Sequence, residues 1–261
     1  MHELLIFFAL VVQLSLFPSY LSANEGFPGR AEYPEVTVYD MKKLQKNIDQ
    51  VVIVDTRSSY EYSTLNIKGA VNIPVAAKNF EERLAKLRCQ TNKPIVFYCI
   101  GRTCYKSYHA VKKASKAKID NTYAYDAGVL EWAQANPDRA VLLGKSPMNP
   151  KDIIPKSAFK SRCLEPELFS NKIYDMGSQS LVIDVRDKYQ RGSSASYFPG
   201  KERWASLDTP EKLMKYIDRA KQENRTLFIY DEVGKQARWV QYALQDANFD
   251  NYFFMEKGAR N

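Results

Sequence analysis

The residues best suited to do chemistry stand together between Lys93 and Ser107, in the stretch KPIVFYCIGRTCYKS. Cys99 ends the short apolar run Ile95, Val96, Phe97 and Tyr98, and a loop follows it. A cysteine becomes a nucleophile when it is held as the thiolate. If Ile100 to Tyr105 curl round the Cys99 side chain, several backbone N–H groups and the positive end of the following helix point at the sulfur. The Cys99 thiol is then expected to ionise below the reference value of about 8.5. Arg102, Lys106, Lys112 and Lys113 add positive charge in the same direction. The competing reading makes Cys99 a small apolar residue that closes a strand. The loop position and Gly101 favour the functional reading.

This stretch needs a strand before it and a helix after it. Ile95 to Tyr98 reads as a strand buried on both faces. Ser107 to Lys118 has helix-forming composition, with Tyr108, Val111 and Ala114 or Ser115 recurring on one face. Open α/β sheets keep their chemistry where a strand hands over to a helix. Upstream, Glu35 to Tyr39 reads as a strand, Asp40 as the cap of a helix beginning MKKLQKNI, and Val51 to Thr56 as a buried strand. Ser58 to Ser63 reads as a short helix and Ala70 to Ile73 as a strand. Lys78 to Arg88 is a helix with Phe80, Leu84 and Leu87 on its inward stripe. Asn121 to Tyr125 adds a strand, and Val129 to Gln134, with Trp132, a last helix. That order predicts a parallel α/β sheet with helices on both faces.

The chain opens with Leu4 to Leu16, an apolar run of signal-peptide length, followed by Leu21, Ser22 and Ala23, a small-residue cleavage context. Residues 1–23 are therefore expected to be a signal peptide and the protein to be exported, periplasmic or secreted, with no membrane association after cleavage. An uncleaved anchor is the alternative, although Gln13 and Pro18 shorten the apolar stretch below the ~20 residues of a spanning helix. About 238 residues then remain, enough for two domains with a core each. The net charge of +8 is spread along the chain. It favours small anions, and no aromatic-interleaved basic stripe argues for nucleic acid. Four cysteines at irregular spacing give neither a disulfide framework nor paired zinc ligands, so no metal and no cofactor is expected.

Residues 136–155 read as a linker, with Pro137, Pro147, Pro150, Pro155 and Gly144. Residues 24–135 and 156–261 then form two domains. The second repeats the first: SLVIDVRD echoes VVIVDTRS, with Asp184 and Arg186 in the places of Asp55 and Arg57. TLFIYD echoes PIVFYC, and FFMEKGA echoes AYAYDAG. A duplication with a period of about 130 residues explains all three matches. Asp231 occupies the position of Cys99.

The ordered set carries a family likeness. An Asp-x-Arg strand end, Glu61 and Tyr62, Ile67-x-Gly69-Ala70, Asn72-Ile73-Pro74, a strand ending in cysteine, a glycine turn and Trp132 together resemble the rhodanese-like sulfurtransferases. The resemblance covers both halves and implies a fold of two rhodanese-like domains, an active first one and a second lacking the cysteine. It also implies that Cys99 is the nucleophile and that Ile100, Gly101, Arg102, Thr103, Cys104, Tyr105 and Lys106 form its persulfide and anion-binding loop. Asp55 and Arg57 would brace that loop from the adjacent strand. Tyr62 and Trp132 are expected to fill core space, and His109 to turn away on its helix.

The implied chemistry is covalent exchange. A Cys99 thiolate takes the outer sulfur of thiosulfate or a similar small anionic donor, sulfite leaves, and the persulfide passes its sulfur to cyanide, a thiol or a protein acceptor. Arg102 and Lys106 are candidates for gripping the donor oxygens. Many relatives place an arginine five positions after the cysteine, where this chain has Cys104. In an oxidising compartment Cys104 could close a disulfide with Cys99 or resolve its persulfide. The alternative function is a sulfur-carrier or protein-binding module, with Cys99 and Cys104 as a redox-regulated dithiol. A phosphatase loop would need arginine at the position of Tyr105, so phosphate cleavage is not expected.

Overall fold

The computed structural model describes residues 26–186, 188–191, 196–207 and 209–259. The leader expected over residues 1–23 lies outside them. The first half holds strands β1 (Val52–Asp55), β2 (Leu65–Ile67), β3 (Val71–Asn72), β4 (Ile95–Tyr98) and β5 (Thr122–Tyr125), followed by β6 (Ala140–Leu142). The second holds β7 (Cys163–Leu164), β8 (Ser180–Asp184), β9 (Glu202–Trp204), β10 (Thr226–Tyr230) and β11 (Tyr252–Met255).

β4 is central in a parallel sheet of order β3-β1-β4-β5. Its alternate residues enter different cores. Val96 and Tyr98 pack with Leu44, Val129 and Trp132 on one face, while Ile95 and Phe97 pack with Phe80, Leu84, Tyr108 and Ala114 on the other. Because both faces are covered by helices, no position of this strand can be polar, which is why the sequence reads as one apolar run. Helices Met41–Asn47 and Gly128–Ala135 supply the first face, and Phe80–Cys89 and Lys106–Lys116 the second.

The second sheet has the order β7-β11-β10-β8-β9, parallel throughout. Leu227 and Ile229 of β10 face Leu213, Ile217 and Val240, whereas Phe228 and Tyr230 face Phe169 and Ile173. The α/β architecture of parallel sheets with helices on both faces is thus the one expected. Even the edges correspond, since Val38 bridges Ala124 in parallel where β7 pairs with β11.

Two expectations are corrected. Glu35 to Tyr39 forms only that bridge, because Asp40 at once turns the chain into a helix by accepting from the Lys43 N–H at 2.7 Å. The stretch 136–155, read as a linker that starts no strand, contains β6, which pairs antiparallel with β2 (Leu65 with Leu142, Ile67 with Ala140). Ala140 and Leu142 are buried, so this alternation earns a place in the core despite the flanking prolines. One core cluster gathers Trp132 and Leu142 with Ile153, Ile154, Trp239 and Tyr242, and so joins residues from both halves.

Candidate active site

The site is built where β4 ends. Thr56 on the neighbouring strand end donates to the Tyr98 carbonyl through its N–H at 3.0 Å and its hydroxyl at 2.7 Å. One residue later the Cys99 carbonyl accepts from Val129 N at 2.9 Å. Gly128, at φ +74°, lies so close that a Cβ there would stand 2.3 Å from the nitrogen of Gly101. The loop is therefore pressed against the start of the helix Gly128–Ala135. It turns back on itself through Cys104 N to Gly101 O, at 2.9 Å, and enters the helix Lys106–Lys116. Arg102 and Thr103 form its exposed tip, while Ile100, Gly101, Cys104, Tyr105 and Lys106 are half-buried.

Cys99 and Cys104 are free thiols brought together by this turn. Cys99 is fully buried. Its Sγ donates to the Cys104 carbonyl at 3.0 Å and lies 3.9 Å from the Gly101 carbonyl. The N–H groups of Gly101 and Ser107 also face it. Burial, and next the Cys104 sulfur, push the Cys99 thiol well above its ordinary value, which overturns the expectation that it ionises readily. The sulfur displaced downward is Cys104, lowered to about 6. A hydrogen bond from Cys99 is the main cause, supported by the Lys106 N–H, the Lys106 charge and the Ile100 N–H. The ring of amides expected around one sulfur is shared between two.

Lys106 is held in turn. Its Nζ lies 3.8 Å from Oε2 of Glu61, a buried carboxylate that also accepts from Ser58 N at 3.2 Å and Ser58 Oγ at 2.9 Å. Burial disfavours the Lys106 ammonium, but Glu61 and the two sulfurs more than offset it, and its pKa ends above the ordinary value. Burial likewise disfavours the Glu61 carboxylate, and Lys106, Arg57 and Ser58 reverse that. Glu61 entered the sequence reading only as part of a family motif. The local signal for it is the capping box, in which Ser58 and Glu61 hold the start of the helix Ser59–Thr64 and so aim the acid inward.

Arg102 is committed elsewhere. It forms a two-pronged pair with Glu131, at 2.5 and 2.8 Å, and its guanidinium lies 4.3 Å from the Phe27 ring centroid. A donor anion gripped by Arg102 would have to displace Glu131. The buried Arg57 bonds Asp55 at 2.6 and 3.0 Å and the Leu65 carbonyl at 2.5 Å. It fastens the end of β1 to β2 instead of bonding the cysteine loop, and it faces the Trp239 ring of the second half at 5.1 Å. Trp132 fills core space and donates to the Arg139 carbonyl at 3.0 Å. The Tyr62 hydroxyl donates to the Ala70 carbonyl at 2.7 Å, and His109 meets the Tyr33 hydroxyl at 2.9 Å. Among the described residues no group of three or more His, Cys, Asp or Glu is placed to hold a metal ion.

The equivalent loop of the second half is occupied by a side chain. Asp231 Oδ1 accepts from the N–H groups of Val233, at 2.7 Å, and Gly234, and Oδ2 accepts from Ala237 N at 2.5 Å. Its carbonyl accepts from Ala259 N at 2.8 Å, and Gly258, at φ +73°, backs the loop as Gly128 does in the first half.

Residues 37–135 match the model of the rhodanese-like domain. An HTH-type transcriptional regulator of Mycobacterium tuberculosis is 36% identical over 91 residues, which make up 35% of this chain and 38% of that protein. The match therefore spans well under two thirds of that relative's length. The thiosulfate:glutathione sulfurtransferase of Saccharomyces cerevisiae is 27% identical over 110 residues, 38% of this chain and 78% of the yeast protein. Among solved structures, thiosulfate sulfurtransferase from Pseudomonas aeruginosa overlays with a TM-score of 0.39 at 19% identity, covering 90% of this chain and 45% of the other. The stretch 37–135 is thus similar to the rhodanese-like domain, and Cys99 and Cys104 both lie inside it.

Proposed function

We propose that the protein is an exported sulfurtransferase that moves a sulfane sulfur from thiosulfate or a similar anionic donor to a thiol or cyanide, through a persulfide on the loop 99–107. The observation that carries this reading is the pair of free thiols at the strand-to-helix junction, with backbone N–H groups and the Lys106 ammonium turned toward them. Such a surrounding stabilises a thiolate and equally the terminal sulfur of a persulfide, because both are anions. Export rests on the apolar run Leu4 to Leu16. The second half belongs to the reading as a silent domain of the same kind, in which Asp231 fills the loop that a cysteine would need.

The test is thiosulfate-to-cyanide transfer by the full chain and by the double variant Cys99→Ser/Cys104→Ser. Transfer by the parent protein with a loss of at least about a hundredfold in the variant is expected for covalent catalysis. Equal rates would overturn the proposal.

A second reading is favoured by the contact between Cys99 Sγ and Cys104. Here the pair is a redox-regulated dithiol on a sulfur carrier, which two-electron oxidation by a peroxide or a disulfide closes into Cys99–Cys104, with two protons released. Sulfur loading without turnover would select this reading.

A further inference from the structure

We infer that Trp239, in the half without the cysteine, is a positioning residue of the reactive loop: its ring caps the Arg57 guanidinium without bringing negative charge toward the thiols. This rests on the sulfurtransferase reading above and names what the second half does for the site in the first.

The two equivalent arginines are completed differently. Arg57 and Arg186 each bond the aspartate two residues before them through Nε and Nη2. The third nitrogen separates them. Nη1 of Arg186 donates to Oε2 of Glu232, the residue after Asp231, at 3.4 Å. The residue after Cys99 is Ile100, and Nη1 of Arg57 is buried with no hydrogen-bond acceptor among the described residues. The Trp239 ring meets this guanidinium instead, its centroid 5.1 Å from Cζ, nearer than the 5.8 Å of Tyr98. Both partners are buried, so the attraction between cation and ring face is undiluted by water.

The indole serves through its face. Its Nε1–H is itself buried without an acceptor among the described residues, a cost that a leucine would avoid. Trp239 stacks on Tyr242 at 6.0 Å and 18°, and the Tyr242 hydroxyl accepts from Ile154 N at 3.0 Å. Arg238 donates to the Ile154 carbonyl at 2.7 Å. The ring is thus held from its own side.

The loop explains why a ring stands where the second half has an acid. A carboxylate at position 100 would adjoin Cys99, among the N–H groups that face the sulfurs, and would repel a thiolate and a donor anion alike. The route from ring to loop is short. The helix Ser59–Thr64 rests against the turn Ala237–Trp239, and its Tyr60 packs on the cores of both halves. Its Glu61 carboxylate is favoured by Lys106 and by Arg57 together, and it stands 3.8 Å from Lys106 Nζ. Without the ring, Arg57 competes with Lys106 for Glu61, and Lys106 loses its hold beside the sulfurs.

The test uses the full chain in thiosulfate-to-cyanide transfer. Trp239→Leu should lower the rate by about tenfold, and Trp239→Phe, which keeps a ring face, by no more than about threefold. Equal rates in parent and Trp239→Leu, or a tenfold loss in Trp239→Phe, overturn the proposal. In a Glu61→Gln background Trp239→Leu should cost less than about twofold more; full additivity overturns the route through Glu61. Ile100→Glu, which gives the first half the acid of the second, should lose at least about tenfold, and full activity overturns the need for a neutral cap. The pH midpoint of Cys104 alkylation is read without any sulfur donor. Trp239→Leu should move it upward and Trp239→Phe should restore it, and an unmoved midpoint overturns the positioning role. Absence of transfer in the parent protein overturns the sulfurtransferase reading, and the midpoint then decides the role of Trp239 separately.

Discussion

The two strand-to-helix loops of this chain solve the same geometric problem with different anions. In each, a strand buried on both faces ends against a glycine at positive φ, Gly128 or Gly258, and the next carbonyl accepts from Val129 or Ala259 at 2.9 or 2.8 Å. In each, backbone N–H groups turn inward toward a side chain. The first loop offers them to the sulfurs of Cys99 and Cys104. The second offers them to the Asp231 carboxylate, which accepts from three of them. Burial raises the Asp231 pKa, and these three N–H groups together with that of Gln236 oppose the rise. The scaffold therefore provides a place for negative charge, and the residue at the strand end decides whether a thiol or a carboxylate meets it.

The largest contrast should be in thiol reactivity. Cys104 is lowered to about 6, chiefly by the Cys99 hydrogen bond, while burial pushes Cys163 in the second half up to about 11. A lowered thiol is ionised at lower pH, so alkylation of Cys104 should rise through pH 6 and be nearly complete in its rate by pH 7. Cys163 should carry roughly four orders of magnitude less thiolate at that pH. Pulse alkylation across pH with peptide mapping measures both, and coincident profiles would dissolve the contrast.

Next come the buried arginines. Arg57→Ala leaves Asp55 without its cationic partner and should cost about 3–5 kcal/mol. Asp184 also has Arg191 at 2.8 Å, so Arg186→Ala should cost less, roughly 1–3 kcal/mol. Denaturant midpoints at constant slope would measure the difference, and a larger loss for Arg186→Ala would reverse the ranking.

Effects of the size expected for Arg186→Ala fall on the backing glycines. Gly128→Ala and Gly258→Ala both place a Cβ against the facing loop's backbone at positive φ, and each should cost about 1–3 kcal/mol. In thiosulfate-to-cyanide transfer, only Gly128→Ala should lower the rate, by about tenfold. Equal losses for the two would mean that the loops are not independent.

Most of the framework was legible because it is local. The run Ile95 to Tyr98 announced a strand covered on both faces, Asp40 announced a helix start, and the paired echoes announced a second sheet of the same order. The fate of each sulfur was not legible. Which cysteine is sealed depends on how the loop turns against Gly128, and that contact arises 27 to 29 residues downstream of Cys99 and Gly101. Arg102 was read as free to grip a donor, but Glu131, far along the chain, holds it. The strand Ala140–Leu142 was hidden for a similar reason: its partner Leu65–Ile67 lies more than seventy residues earlier, and the surrounding prolines suggest only a connector.

Trp239 comes from the second half yet lies against Arg57 and within the cluster that contains Trp132 and Leu142. Residues of both halves consequently share one of the buried apolar clusters. A fragment trimmed to the first half alone would lose the Trp239 ring from beside the Arg57 guanidinium, so severing the chain at its midpoint would uncover the very arginine that fastens β1 to β2.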